Sequence, residues 1–270
     1  MKKQQSKRVI PGFGLTMGVT LAMLSIVVLI PLASLTVYSA RLGFREFIEV
    51  ITRPRVLSGF YVSFITAFAA TVINAIMGLV LAWVLVRYDF PGKRIMDGMI
   101  ELPFALPTAV AGISLTSLTS DKGLVGSFFA NFGIKIAYTK IGITVALIFV
   151  GIPFVVRAIQ PVLEKLDGSY EEAARVMGAK PFTVFRRVIL PELLPAMLSG
   201  AGLAFGRCLG EYGSVVFIAG NKPYYTELQE FDYESATAIA LVTLAVSFLI
   251  LFGVNLVQAR NTKRIRGRDA

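Results

Sequence analysis

The stretch YVSFITAFAATVINAIMGLVLAWVLV, residues 61–86, runs for 26 residues without one Asp, Glu, Lys or Arg. As a helix it would rise about 39 Å, more than the ~30 Å hydrocarbon core of a bilayer. We read it as a membrane span. Five further apolar stretches flank it, approximately Phe13 to Tyr38, Ile95 to Leu118, Ala137 to Val156, Leu193 to Ile218 and Ala236 to Gln258. The fourth of the six spans is the shortest and carries Pro153. With 55% hydrophobic and 16% charged residues, the chain lies outside the balance of a water-soluble domain. The expected fold class is all-α: a polytopic transmembrane helical bundle with six predicted spans.

Charge placement orients such a bundle. Six spans put both termini on one side, together with the 87–94 loop and the 157–191 segment. That side carries 18 of the 27 Lys and Arg residues and the other side eight, with Arg207 inside a span. Cytoplasmic loops collect Lys and Arg, so both termini are expected in the cytoplasm. The net charge of +10 is thereby explained by topology, with no nucleic acid among the expected partners and membrane lipid as the surrounding medium. The first apolar stretch exceeds the ~7–15 residues of a signal core and is read as a retained span. The divisions are a cytoplasmic tail over 1–12, a transmembrane domain over 13–258 and a basic cytoplasmic tail over 259–270.

The chain has no histidine and one cysteine, Cys208, which removes the commonest metal ligand and any internal disulfide. No catalytic residue and no metal ligand set is expected. A loop ending in Gly-Lys-Ser/Thr that would cradle nucleotide phosphates is also absent.

One charged insert interrupts the apolar pattern: EEAARVMGAKPFTVFRRVILPELLPA, residues 171–196, in the largest cytoplasmic loop. Ser169 followed three residues later by Glu172 fits a capping box, in which hydroxyl and carboxylate satisfy early helix amides. Ala173, Ala174, Arg175, Val176 and Met177 extend the helix, and Gly178 suits a left-handed C-terminal residue. Pro181 then suits the first turn of a second helix, with Phe182, Phe185, Val188 and Ile189 on one face before Pro191. Local physics alone allows an ordinary helical hairpin between two spans.

The order of the whole string says more. Glu172-Ala173-Ala174, then Gly178, then nine residues before Val188-Ile189-Leu190-Pro191, resembles the EAA loop of ATP-binding-cassette (ABC) importer permeases, with Val188 where the family most often has Ile. RYDFPGKRIMDGMIELPFALPTAVAG at 87–112, IPFVVRAIQPVLE at 152–164 and LGEYGSVVFIAGN at 209–221 are similar to sulfate/thiosulfate permeases, with molybdate permeases as near relatives. RVIPGFG at 8–14 and LQEFDY at 228–233 point to the T-type subunit, which pairs with a W-type permease.

The resemblance implies a type I ABC importer permease with the EAA coupling loop at about 157–191. It implies an ABC ATPase dimer, a second (W-type) permease and a sulfate-binding protein as partners. ATP and Mg would sit on the partner ATPase, and no cofactor on this chain. The location implied is the plasma (inner) membrane of a bacterium or a related organelle. Residues expected at the ATPase contact are Tyr170, Glu172, Ala173, Ala174, Val176, Met177 and Gly178. Two alternatives stand beside this reading: a permease for molybdate or another tetrahedral oxyanion, and a secondary transporter or structural membrane subunit without an ATPase.

Polar groups inside spans supply the candidates for a pore or gate, because ionisable side chains at membrane depth cost at least ~2.5–3.5 kcal/mol. Arg207 and Glu211 share a helical face at a spacing of four. They read either as part of the anion path and its gate or as an internal ion pair. In Glu101-Leu102-Pro103-Phe104-Ala105-Leu106-Pro107-Thr108 the two prolines disturb a helix, which makes the third span a bent element. Thr108 and Ser114 offer hydroxyl donors to an oxyanion, and Gly112 allows close helix approach. Simple packing around a proline kink is the equal alternative. One departure concerns residues 222–227, where Lys-Pro-Tyr-Tyr-Thr-Glu runs directly into LQEFDY and the family usually has a longer apolar stretch.

Overall fold

A computed structural model describes residues 13–220 and 233–266. The N-terminal tail, the last four residues of the C-terminal tail and the 221–232 segment, with its shortened loop and the 228–232 part of LQEFDY, lie outside the described residues, while residues 259–266 of that tail continue the last helix. Twelve α-helices follow one another with no strand among the described residues. They are α1 (Phe13–Arg41), α2 (Phe44–Thr52), α3 (Pro54–Arg87), α4 (Lys93–Ala105), α5 (Thr108–Thr119), α6 (Leu124–Ala130), α7 (Lys140–Lys165), α8 (Ser169–Val176), α9 (Pro181–Val184), α10 (Leu190–Leu209), α11 (Gly213–Ala219) and α12 (Tyr233–Arg266). A π turn over Phe185–Ile189 joins α9 to α10.

The chain divides into two units, the described parts of Met1–Arg53 with Glu230–Val242, and of Pro54–Gln229 with Thr243–Ala270. In the first, α1 is apolar on every face and almost wholly exposed, the composition of a helix whose surroundings are lipid. The functional features all belong to the second unit.

Five helical segments are long and apolar enough to cross a membrane: Phe13–Arg41, Pro54–Arg87, Lys140–Lys165, Pro181–Leu209 and Ser235–Gly253. The third expected span, Ile95 to Leu118, differs from a single bent helix. Its two halves, α4 and α5, meet at 116°. Leu106 precedes Pro107, whose ring disfavours helical backbone in the residue before it. Leu106 accordingly takes φ −88° and ψ 135°, and the helix stops. Pro103, one turn earlier, stays inside α4.

Three other expected boundaries move. Pro153 does not limit the fourth span, because α7 runs from Lys140 to Lys165 through both Pro153 and Pro161. The return helix of the charged insert does not end before Pro191; that proline falls in the first turn of α10, directly after the π turn, and the helix continues through it. The segment from Pro181 to Leu209 thus forms one helical rod of roughly 44 Å. The fifth span ends at Leu209, and residues 213–219 form the separate helix α11.

Helices α3, α7 and α10 pack into the centre of the second unit. At the end near α8 their buried side chains include Leu85, Val155, Val156, Ile159, Leu163 and Leu193, continuous with Val184 and Ile189 of the return segment. Lipid offers no hydrophobic drive between helices, so small residues that let backbones approach carry the association. At Gly200 of α10 a Cβ would lie 2.8 Å from the Val155 Cα on α7. Asn74 of α3 is fully buried at this junction, facing Gly151, and neither atom of its amide has a hydrogen-bond partner among the described residues.

Candidate coupling and translocation site

Helix α8 is eight residues long and sits beside the C-terminal end of α3. The expected capping box does not form. Ser169 is the first helical residue rather than the cap, Gly168 precedes it, and no side chain caps from that position. Asp167 has taken the role: its Oδ1 accepts from the Ser169 amide at 3.0 Å, the bond an Asp makes to backbone two residues on. Bonds from the Ser169 amide and hydroxyl hold the Asp167 carboxyl below its ordinary value. Glu172 is left exposed, with no ion pair among the described residues.

The C-terminal end forms as expected. Gly178 has φ +82°, the left-handed conformation that residues with a Cβ resist. The Gly178 amide donates to the Arg175 carbonyl at 2.9 Å and the Ala179 amide to the Ala174 carbonyl at 3.0 Å. Those two bonds make a Schellman cap, which satisfies carbonyls the helix would otherwise leave orphaned.

The two faces of α8 differ sharply. Ala174 and the nearby Ala179 pack against the core formed by Leu163, Val184 and Ile189. Glu171, one residue before the motif, points the same way with 13% of its side chain exposed, and its Oε1 accepts from Arg87 Nη2 at 2.5 Å. The Arg87 guanidinium lies over the Trp83 ring at 5.6 Å, and Trp83 meets Phe185 of the π turn edge-on at 5.6 Å. On the opposite face Tyr170, Ala173, Val176 and Met177 form an exposed stripe at helical spacing. Val176 is 89% and Met177 86% exposed. Phe182, expected on the packed face of the return helix, is exposed as well, while Val184 and Ile189 are buried. The π turn resets the face by inserting a residue between them.

The expected pore residues do not form one constellation. Thr108 and Gly112 of α5 serve packing: at Gly112 a Cβ would lie 2.7 Å from the Ser214 Cα, so α5 and α11 touch backbone to backbone. Thr108 in turn occupies the space a side chain at Gly213 would need. Ser114 is exposed on the other side of α5, and Pro103 and Pro107 flank the break. Glu101 is held by Arg157 of α7, whose Nη2 donates to Glu101 Oε1 at 2.7 Å and whose Nη1 donates to Asp97 Oδ1 at 2.8 Å and Gln160 Oε1 at 2.7 Å. This cluster ties α4 to α7.

Arg207 and Glu211 do pair, Nη1 to Oε2 at 2.5 Å, with the Glu211 side chain 2% exposed. Glu211 lies in the break after α10 rather than within a continuous span. Its other oxygen accepts from the Ser214 amide at 2.9 Å and hydroxyl at 3.0 Å. The carboxylate therefore joins the last turn of α10 to the first turn of α11, and every strong partner it needs is present. A small cavity of about 30 Å³ beside it is lined by Ser63, Thr66, Cys208 and Val215 among others. No cluster of three metal-ligating side chains occurs among the described residues.

Sequence reasoning missed Arg87, Glu171, Asp97 and Arg157. Their partners are 84 and 60 positions apart, beyond any local spacing rule. The single local signal is that Arg87 closes a charge-free span four residues after Trp83.

Comparison with known proteins completes the picture. The chain is 47% identical over 271 residues to the sulfate transport system permease protein CysT of Salmonella typhimurium, covering 97% of this chain and 98% of that one. It is 48% identical to the protein of the same name from Escherichia coli, at 97% and 98% coverage. The one from Synechocystis is 48% identical, with 89% and 87% covered. In structure the chain resembles a subunit of a bacterial ABC transporter involved in the import of the acidic polysaccharide alginate. The TM-score is 0.75 at 16% identity, with 92% of this chain and 96% of that one covered, a likeness of fold. These relatives are named as transport-system permeases, not as secondary transporters or structural subunits. The profile described as binding-protein-dependent transport system inner membrane component matches residues 74–267, and the chain belongs to that family.

Proposed function

We propose that this chain is the T-type permease subunit of an ATP-driven importer of sulfate or thiosulfate, and that α8 is the surface on which a separate ABC ATPase docks. The observation that carries this is the asymmetry of α8. Its back is fixed by Arg87–Glu171 and a Schellman cap, while its front presents Val176 and Met177 almost fully to the outside. A short rigid helix with an apolar front suits insertion into a cleft, as helix-in-groove recognition requires. The near-full-length likeness to sulfate transport permeases supports the substrate.

ATP and Mg belong to the ATPase dimer, a W-type permease completes the membrane pair, and a sulfate-binding protein delivers the anion. The complex lies in a bacterial inner membrane with both termini of this chain in the cytoplasm, as the charge asymmetry supports. Closure of the ATPases displaces α8, and the helical rod from Pro181 to Leu209 carries that displacement along the bundle so that access alternates. Within this scheme Ser114 and Glu101 remain candidates to border the anion path, Pro103 and Pro107 set its bend, and Thr108, Gly112, Arg207 and Glu211 hold its walls together.

The test is uptake of radiolabelled sulfate by the assembled transporter with unlabelled competitors, alongside co-purification of the ATPase. Sulfate and thiosulfate should compete well and molybdate poorly, with the ATPase retained. Molybdate competing far better than sulfate overturns the substrate, and absence of a bound ATPase overturns the docking role.

A further inference from the structure

We infer that the Arg87–Glu171 pair is the link through which displacement of α8 is imposed on α3, and that Glu171, not the neighbouring Glu172, is the residue of this loop that transmits it. This rests on the docking role of α8 and adds to it a specific route.

The chain itself connects α8 to α10, through residues 177–180, α9 and the π turn. It gives no comparable connection to α3, which ends at Arg87, 82 positions before α8 begins at Ser169. The connection to α3 is made by side chains. Glu171 Oε1 and Arg87 Nη2 are 2.5 Å apart, with 13% and 26% of the two side chains exposed. Charge-assisted bonds of this kind are short and directional, and partial burial reduces the screening that weakens surface pairs.

Both partners are themselves held. Arg175 lies 3.8 Å from the second oxygen of Glu171 and neutralises it from the solvent side. Arg87 is seated over Trp83, which in turn meets Phe185 at the start of the π turn. The guanidinium thus joins α8 to the end of α3, and Trp83 beneath it carries the contact on to the return segment. Glu172 reaches none of these groups.

Helices α3 and α10 pack on α7 and on each other, so a push on α8 that enters through α10 alone would load the α3–α10 contact, whereas one that enters both helices at once moves the three as a block. Without the pair, α8 would stay joined to α10 by the chain and seated on the core through Ala174, but its displacement would no longer be imposed directly on α3, and ATP hydrolysis would proceed with less of it reaching the bundle. The expected phenotype of losing the pair is uncoupling rather than loss of assembly.

The experiment measures sulfate taken up per ATP hydrolysed in proteoliposomes of the complete transporter, together with ATPase capture. Wild type is compared with Glu171→Gln, Arg87→Gln, the charge exchange Arg87→Glu with Glu171→Arg, and Asp89→Asn as a control at an exposed surface pair of the same end. Each single variant should retain the ATPase and lose about fivefold or more in uptake per ATP. The exchange should recover most of that loss, and Asp89→Asn should match wild type. Full coupling in the single variants, or no recovery in the exchange, overturns the inference. So does loss of ATPase capture in the single variants alone, which would assign the pair to docking. Failure of the wild type to capture the ATPase would instead remove the docking role itself.

Discussion

Gly178 offers the sharpest quantitative test of the coupling helix. Its φ is +82°, yet a Cβ built there meets nothing within 4 Å. A substitution therefore acts through backbone conformation alone and adds no clash. Placing an ordinary L-residue in the left-handed region costs about 1–2 kcal/mol, and at 1.4 kcal/mol per decade that is a factor of roughly 5–30 in the population of the capped turn. If the ATPase binds only the capped helix, apparent affinity falls by at most that factor, because binding is divided by the competent fraction and the full loss is reached only when the glycine turn is not already capped in large excess. Gly178→Ala should weaken ATPase binding by up to about 5–30-fold. Gly178→Asn should lose less, because a short polar side chain is tolerated in that region, and Gly178→Val should lose more. The assay is titration of the ATPase onto the permease complex in nanodiscs. Equal affinity for glycine, alanine and valine, or asparagine no better than valine, refutes the reasoning.

Three further outcomes concern the scaffold and are read from thermal melts in one detergent. Glu211→Ala removes the partner of Arg207 and the acceptor of the Ser214 amide and should destabilise by about 3 kcal/mol, the low end for a broken buried pair because Arg207 is 35% exposed. Gly112→Val drives a side chain into the Ser214 backbone and should cost about 1–3 kcal/mol or force α5 off α11. Asn74→Leu removes a buried amide with no partner and should raise stability by about 1–3 kcal/mol; a fall of similar size would mean that the amide has partners in the isolated protein.

Much of the fold was legible because lipid imposes a simple rule. A run such as residues 61–86 has no charge to hydrate and must be a helix that satisfies its own backbone. Hydropathy carries no direction, however. Leu106-Pro107 announced a disturbance between 95 and 118, but the 116° turn depends on how α5 packs on α11 through Gly112. The same blindness ran the fifth span through residues 210–212 into α11, which is apolar but separate.

At α8 the glycine was readable because a positive φ has a residue preference, and the cap formed around it. The Ser169/Glu172 spacing matched a capping box, yet Asp167 reached the same amide first. Glu171 and Arg87 could not be paired from the sequence, since 84 positions separate them and only the tertiary fold brings the two side chains within bonding distance.

The docking of α8 is tested most directly by site-specific crosslinking. Cys208, the chain's single cysteine, is buried, so Met177→Cys creates one accessible thiol at the exposed tip. A photoactivatable maleimide on that thiol should capture the ATPase in the assembled transporter, and the same probe on Phe128→Cys in α6 should not. A transporter that hydrolyses ATP and takes up sulfate while residue 177 yields no ATPase product would contradict the central claim.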